Sequence, residues 1–182
     1  MTIGNAAKFF ELTSRRWPVM RDERVAQLRA DVKRWRGRLS EAESTYCQGV
    51  ANKAAKQFEA LIKQLAEQRV AATGSDLSSL LMEIKYKGDV RTIHRLPLGT
   101  VTQLVLQLTK HDSELAETCP PGIRTALTTI PKRRNETTHE LPPEKMRAAT
   151  ESLLDLIEEV LSPDAFAALL ARGPLDSREV SQ

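Results

Sequence analysis

The run Pro131-Lys132-Arg133-Arg134-Asn135-Glu136-Thr137-Thr138-His139-Glu140-Leu141-Pro142-Pro143 gathers the side chains best suited to act on a phosphate. A histidine that titrates near neutrality is the usual general acid or base. A guanidinium beside it can hold a phosphate and stabilise charge that develops there. On a helix, Asn135 and His139 stand four apart and share a face, so the amide can fix the orientation of the imidazole. Arg134 sits on the flank of that face, and Arg133 and Lys132 add charge. His139 falls in the last turn before the Pro142 stop, where the negative end of a helix favours a protonated ring. Arg134, Asn135 and His139 are therefore the candidate catalytic residues, with Arg133 and Lys132 as candidate RNA-binding residues. Such a set suffices to cleave RNA without a metal. The base takes the proton of a ribose 2′-hydroxyl, the oxygen attacks the adjacent phosphate, and a cyclic phosphate and a free 5′-hydroxyl result. DNA lacks that nucleophile.

The spacing alone also describes an exposed arginine and a histidine that caps a helix end. Other candidates are weaker. His94 lies in a basic connection with Lys85, Lys87, Arg91 and Arg95 and reads as a solvated loop, and His111-Asp112 reads as a helix-terminus pair. Trp17, Trp35 and Tyr46 at helical spacing suit a core or a dimer seam better than a base-stacking platform. There is no glycine-rich phosphate loop, and no His, Cys or carboxylate cluster with metal-ligand spacing, so neither cofactor nor metal is expected.

Helices must position these residues. Aromatics make up 4% of the 182 residues, while the strong helix formers Ala, Leu, Glu, Lys, Arg and Gln abound. Stretches of alternating polarity are hard to find, so the expected class is all-α. Val25, Leu28, Val32, Trp35, Leu39, Ala42 and Tyr46 recur at steps of three and four, a heptad-like seam able to pack on another helix or on a copy of itself. Gly37 and Gly49 weaken it, and the chain should bend or break near either. A helix from about Val50 to Ala72 carries Ala54, Phe58, Leu61 and Leu65 and stops at Gly74. Ser75 or Asp76 caps the next, through Leu80, Leu81 and Ile84. Thr100 caps one carrying Val101, Leu104, Val105 and Leu108. Pro120-Pro121 opens a helix with Ile123, Leu127 and Ile130, which Pro131 should kink or break. A short segment from Lys132 to Glu140 then carries the motif. The helix from Pro143 buries Met146, Ala149, Leu153, Ile157 and Val160, and a last short one starts at Ser162-Pro163-Asp164.

Length implies about one domain with a sizeable core. The expected organisation is a helical extension over 1–47, a helical domain over 48–172 and a disordered tail over 173–182. No stretch approaches the ~18–20 apolar residues of a membrane helix, and no signal peptide is read at the N-terminus. Cys47 and Cys119 form neither a disulfide framework nor a zinc motif, which suits a reducing cytoplasm. The net charge of +3 is uneven: +6 over residues 1–38, +2 over 39–110 and −5 over 111–182. The basic N-terminal part suits a phosphate backbone, or is a solvated helix face.

The motif and its setting resemble the HEPN superfamily, whose signature is Arg, usually followed by Asn, with His four to six residues later. Arg134-Asn135-Glu136-Thr137-Thr138-His139 fits its commonest form. Leu98-Gly99-Thr100 opening an apolar helix, Pro120-Pro121 before Ile123 and Leu127, the motif, and the amphipathic helix from Glu144 look like the usual HEPN order, and Ala54, Phe58, Glu59 and Leu61 resemble its first core helix. The resemblance covers about residues 50–162 and leaves the N-terminal residues as an added helical arm. It implies a HEPN-like helical bundle that forms a homodimer, with two motifs facing one cleft. It also implies an RNase of the kind found in toxin–antitoxin, antiviral-defence and RNA-processing systems, with RNA as substrate and an antitoxin or a larger defence complex as partner. The alternatives are a HEPN fold that binds RNA or nucleotide without cutting it, and a plain helical dimerisation module. Family members usually have continuous helix where this chain has Pro131. Some HEPN toxins carry a Tyr two residues after the His that a partner nucleotidyltransferase modifies; Leu141 stands there, so that mode of silencing is not expected.

Overall fold

The computed structural model describes residues 23–88 and 92–172, and every regular element among them is helical. Trp17 and the tail expected to be disordered lie outside the described residues. Helix α1 runs to residue 36. It is followed by α2 (Ser44–Thr73), α3 (Leu77–Glu83), a 3₁₀ turn (Ile93–Arg95), α4 (Leu98–Leu108), α5 (Ser113–Thr118), α6 (Pro121–Glu136), α7 (Pro143–Leu161) and α8 (Asp164–Ala171). Four of these make a closed bundle: α2 packs on α4 and α7, and α6 packs on the same two. Helix α8 closes one end against α2, α5 and α7. No described helix is long and apolar enough to cross a membrane.

The ends of the helices follow local chemistry. Gly74 adopts φ 63°, its N–H bonds to the carbonyl of Ala71, and Ser75 N–H bonds to Val70 O. This is the left-handed stop that glycine allows. The Asp76 carboxylate caps α3 by accepting from Ser79 N–H at 2.9 Å. Asp112 caps α5 by accepting from Leu115 N–H at 3.0 Å, in a connection where no helix was expected. Helix α4 begins at Leu98 after Pro97, so Thr100 lies inside it rather than at its cap.

Two expectations need correction, and a third is narrowed to one of its alternatives. The chain breaks at Gly37 but passes through Gly49, so the first core helix starts at Ser44 rather than Val50, and the boundary drawn at residue 47 falls inside α2. Of the two partners open to the heptad-like seam, its first five residues meet the chain's own helices, while Tyr46 is 40% exposed. Val25, Leu28, Val32, Trp35 and Leu39 are at most 5% exposed and belong to one core with α2 and α7. Arg36 pairs with Asp155 and Glu158 of α7, Arg29 donates to the carbonyl of Leu161, and Gln57 of α2 reaches Asp31. Finally, Pro131 does not break its helix, which continues to Glu136. A proline in a helix interior costs about 3 kcal/mol. Ile123, Leu127 and Ile130 of the same helix are buried, each worth about 1.5–3 kcal/mol, so packing against α4 and α7 outweighs the lost bond.

A buried ion pair ties α2 to α5. Arg69 and Asp112 are 5% and 6% exposed, with Nη2 of Arg69 donating to Oδ1 of Asp112 at 2.7 Å and Nε donating to Oδ2. Nη1 of Arg69 also donates to Glu114 at 2.9 Å, and Glu114 in turn holds Arg172. His111 lies 3.7 Å from Glu83, and His94 lies 3.2 Å from Glu67.

Candidate active site

The motif straddles the end of α6. Arg133 and Arg134 occupy its last turn, where cations complement the negative end of the helix. Neither glycine nor proline stops the helix there. Two threonines bond carbonyls at that end, and the carbonyl of Arg134 has no other donor among the described residues. Thr137 Oγ1 donates to the carbonyl of Arg134 at 2.8 Å, and Thr138 Oγ1 to that of Asn135 at 2.6 Å. The amides of Thr138 and His139 bond three residues back, to Asn135 and Glu136, so the turn tightens to 3₁₀ geometry. Thr137 is fully buried, and its carbonyl accepts from the Gln48 side chain of α2 at 3.2 Å. On the far side, Pro142 and Pro143 start α7, whose Met146 is buried. The motif turn is thus fastened at both ends and from beneath.

This geometry moves His139 off the face of Asn135. A four-residue step aligns two side chains only while the helix continues, and here it ends at Glu136. Asn135 Oδ1 has a long 3.5 Å contact with Arg134 Nη1, and no hydrogen bond joins Asn135 to His139. The imidazole is exposed and makes no hydrogen bond or ion pair with a described residue. Lys132 is exposed as well, while Arg133 is half-buried and pairs with Glu136 at 2.7 Å.

The candidate residues face two grooves. Arg134 and Asn135 line one of about 280 Å³ against Pro131 and the first turn of α4, at Leu98, Gly99 and Gln103. His139 and Arg133 line another, of about 490 Å³, between the motif turn and α7. Its α7 wall is Lys145, Ala148, Ala149 and Ser152. Within one chain, Arg134 and His139 are neighbours in sequence that open to different sides of the helix end.

Gln48, Thr137 and Lys145 were not read from the sequence as parts of this site. Lys145, Ala148, Ala149 and Ser152 do recur at three- and four-residue steps, a second stripe on α7; Ala149, expected on the buried face, is half-buried and belongs to this stripe, while Thr150 is buried in the core. Thr137 and Thr138 follow the motif directly, and a pair of hydroxyl residues at a helix end is a local stop signal. Gln48 had no such signal, because its partner is 89 residues away.

Among the described residues, no group of three or more His, Cys, Asp or Glu side chains is placed to hold a metal ion. Cys47 and Cys119 are free and buried, and burial pushes both thiols above their ordinary value. Comparison with known protein families, with curated proteins and with solved structures found no match.

Proposed function

We propose that this protein is a metal-independent endoribonuclease of HEPN type that acts as a homodimer, and that it serves as a toxin or an antiviral-defence effector. The observation that carries the reading is the fastened turn: Arg134, Asn135 and a His139 whose imidazole has no partner among the described residues stand at one helix end, held by the bonds of Gln48 to Thr137 and of Thr137 to Arg134. His139 is the general base or acid, Arg134 stabilises the phosphate in the transition state, and Arg133 and Lys132 track the RNA backbone. Asn135 borders Arg134 and positions it.

The two-groove arrangement favours a composite site. Base and acid act on opposite sides of the phosphate, and one chain supplies one His in the motif. A twofold axis beside the helix end would set Arg134 of one copy against His139 of the other without further residues. The missing Asn135–His139 bond favours a second reading, a module that binds RNA or nucleotide without cutting it. The test is cleavage of RNA in excess EDTA by the wild type and by His139→Ala. Loss of cleavage in the variant alone supports the enzyme, and binding without cleavage by both supports the module.

A further inference from the structure

The groove beside His139 holds a cation that the motif does not include. Lys145 lies in the first turn of α7, is exposed, and makes no hydrogen bond or ion pair with a described residue. A cation is disfavoured at that end of a helix, by about 0.3–1 kcal/mol. Nothing on α7 offsets it by direct pairing. With no partner among the described residues, Lys145 is free to meet an anionic ligand in the groove it lines.

The groove around it has the chemistry of a nucleotide. Arg133, His139 and Lys145 form its charged rim, with Glu136 engaged by Arg133. The rim carries +1 with a neutral imidazole and +2 with a protonated one. Its apolar floor is Leu141, Ala149 and the exposed Ala148, and Ser152 adds a hydroxyl. A volume of about 490 Å³ falls within the range of small-ligand pockets, about 300–1,000 Å³. A negative group at the rim and a flat, uncharged ring on the floor match the two halves of a nucleotide.

We propose that Lys145 is a phosphate-binding residue of the RNA site. It grips the backbone phosphate next to the scissile one, and the apolar floor receives the nucleoside between them. This assignment rests on the ribonuclease reading above. It makes Lys145 a residue of substrate binding and not of proton transfer.

Binding separates the two claims. A fluorescent oligonucleotide with 2′-deoxyriboses throughout cannot be cleaved by this chemistry, so its affinity is measured on intact ligand by anisotropy over a series of salt concentrations. Lys145→Ala should weaken binding about tenfold at low salt and reduce the salt slope by about one. Lys145→Arg should restore both. Lys53→Ala, which removes a lysine over the Trp35 ring and outside the groove, should change neither. With RNA, Lys145→Ala should raise KM and leave kcat within about twofold. If the wild type cleaves RNA but Lys145→Ala binds no worse than Lys53→Ala, the assignment is overturned and the ribonuclease reading stands. If the wild type neither binds nor cleaves, both fall.

Discussion

The hydroxyl of Thr137 is the smallest group on which the motif turn depends. It is fully buried and donates to the carbonyl of Arg134 at 2.8 Å. No other described donor bonds that carbonyl. Thr137→Val keeps the side-chain volume, so no cavity opens, but it leaves a carbonyl beneath the turn without a partner. Such an orphan costs about 1–3 kcal/mol. The helix end is half-exposed, which places the expected loss near the lower limit, about 1–1.5 kcal/mol. The same energy separates the fastened turn from looser ones, and about 1.4 kcal/mol is a factor of ten in population. RNA cleavage should therefore fall roughly five- to tenfold through kcat. Gln48→Ala removes the neighbouring bond to the Thr137 carbonyl, and the double variant should lose less than the sum of the single losses, since both act on one turn. Urea unfolding gives the stability change, and initial rates give kcat. A Thr137→Val protein with unchanged stability and unchanged kcat would show that the turn does not depend on this bond.

Other outcomes follow from the packing. Leu28, 1% exposed in α1, should behave as a core residue: Leu28→Ala should lower unfolding free energy by about 2–5 kcal/mol, whereas a seam facing another chain would change only the mass in solution. Burial raises the Asp112 carboxyl, but its bonds to Arg69 and to Leu115 N–H outweigh this and hold it below its ordinary value. A depressed carboxyl contributes stability that is present above its unfolded value and is lost as pH falls through the folded one. Asp112→Asn should thus cost about 3 kcal/mol at pH 7, the low end for a broken buried pair, because Glu114 still accepts from Arg69. It should also flatten the loss of stability in acid, as followed by denaturant titration at several pH values. In the composite-site reading, wild-type chains refolded with an excess of His139→Ala chains should lose activity as the square of the wild-type fraction; a linear loss would mean that each chain works alone.

The all-helical class was legible because composition and three- and four-residue periodicity act locally. The stop at Gly74 and the starts at Pro121 and Pro143 were legible for the same reason: each is fixed by one residue's backbone chemistry. Pro131 misled because its penalty is local, while the burial of Ile123, Leu127 and Ile130 that overrides it is tertiary. Val25, Leu28, Val32 and Trp35 showed a seam but not its partner, since periodicity gives a buried face and never names what covers it. At the site, the motif residues were readable by type and spacing. Their division between two grooves was not, because it depends on the helix ending at Glu136, and that end is held by Thr137, Thr138 and the distant Gln48.

Arg134 and His139 are proposed to cleave RNA by 2′-hydroxyl attack. The most direct test is incubation of RNA with the purified protein in excess EDTA, with the ends of the products identified. The fragments should bear 2′,3′-cyclic phosphate and 5′-hydroxyl ends, and His139→Ala and Arg134→Ala proteins that retain the wild-type helical signal and melting behaviour should not cleave. Cleavage that disappears in EDTA and returns with magnesium, or that survives in His139→Ala, would contradict this chemistry.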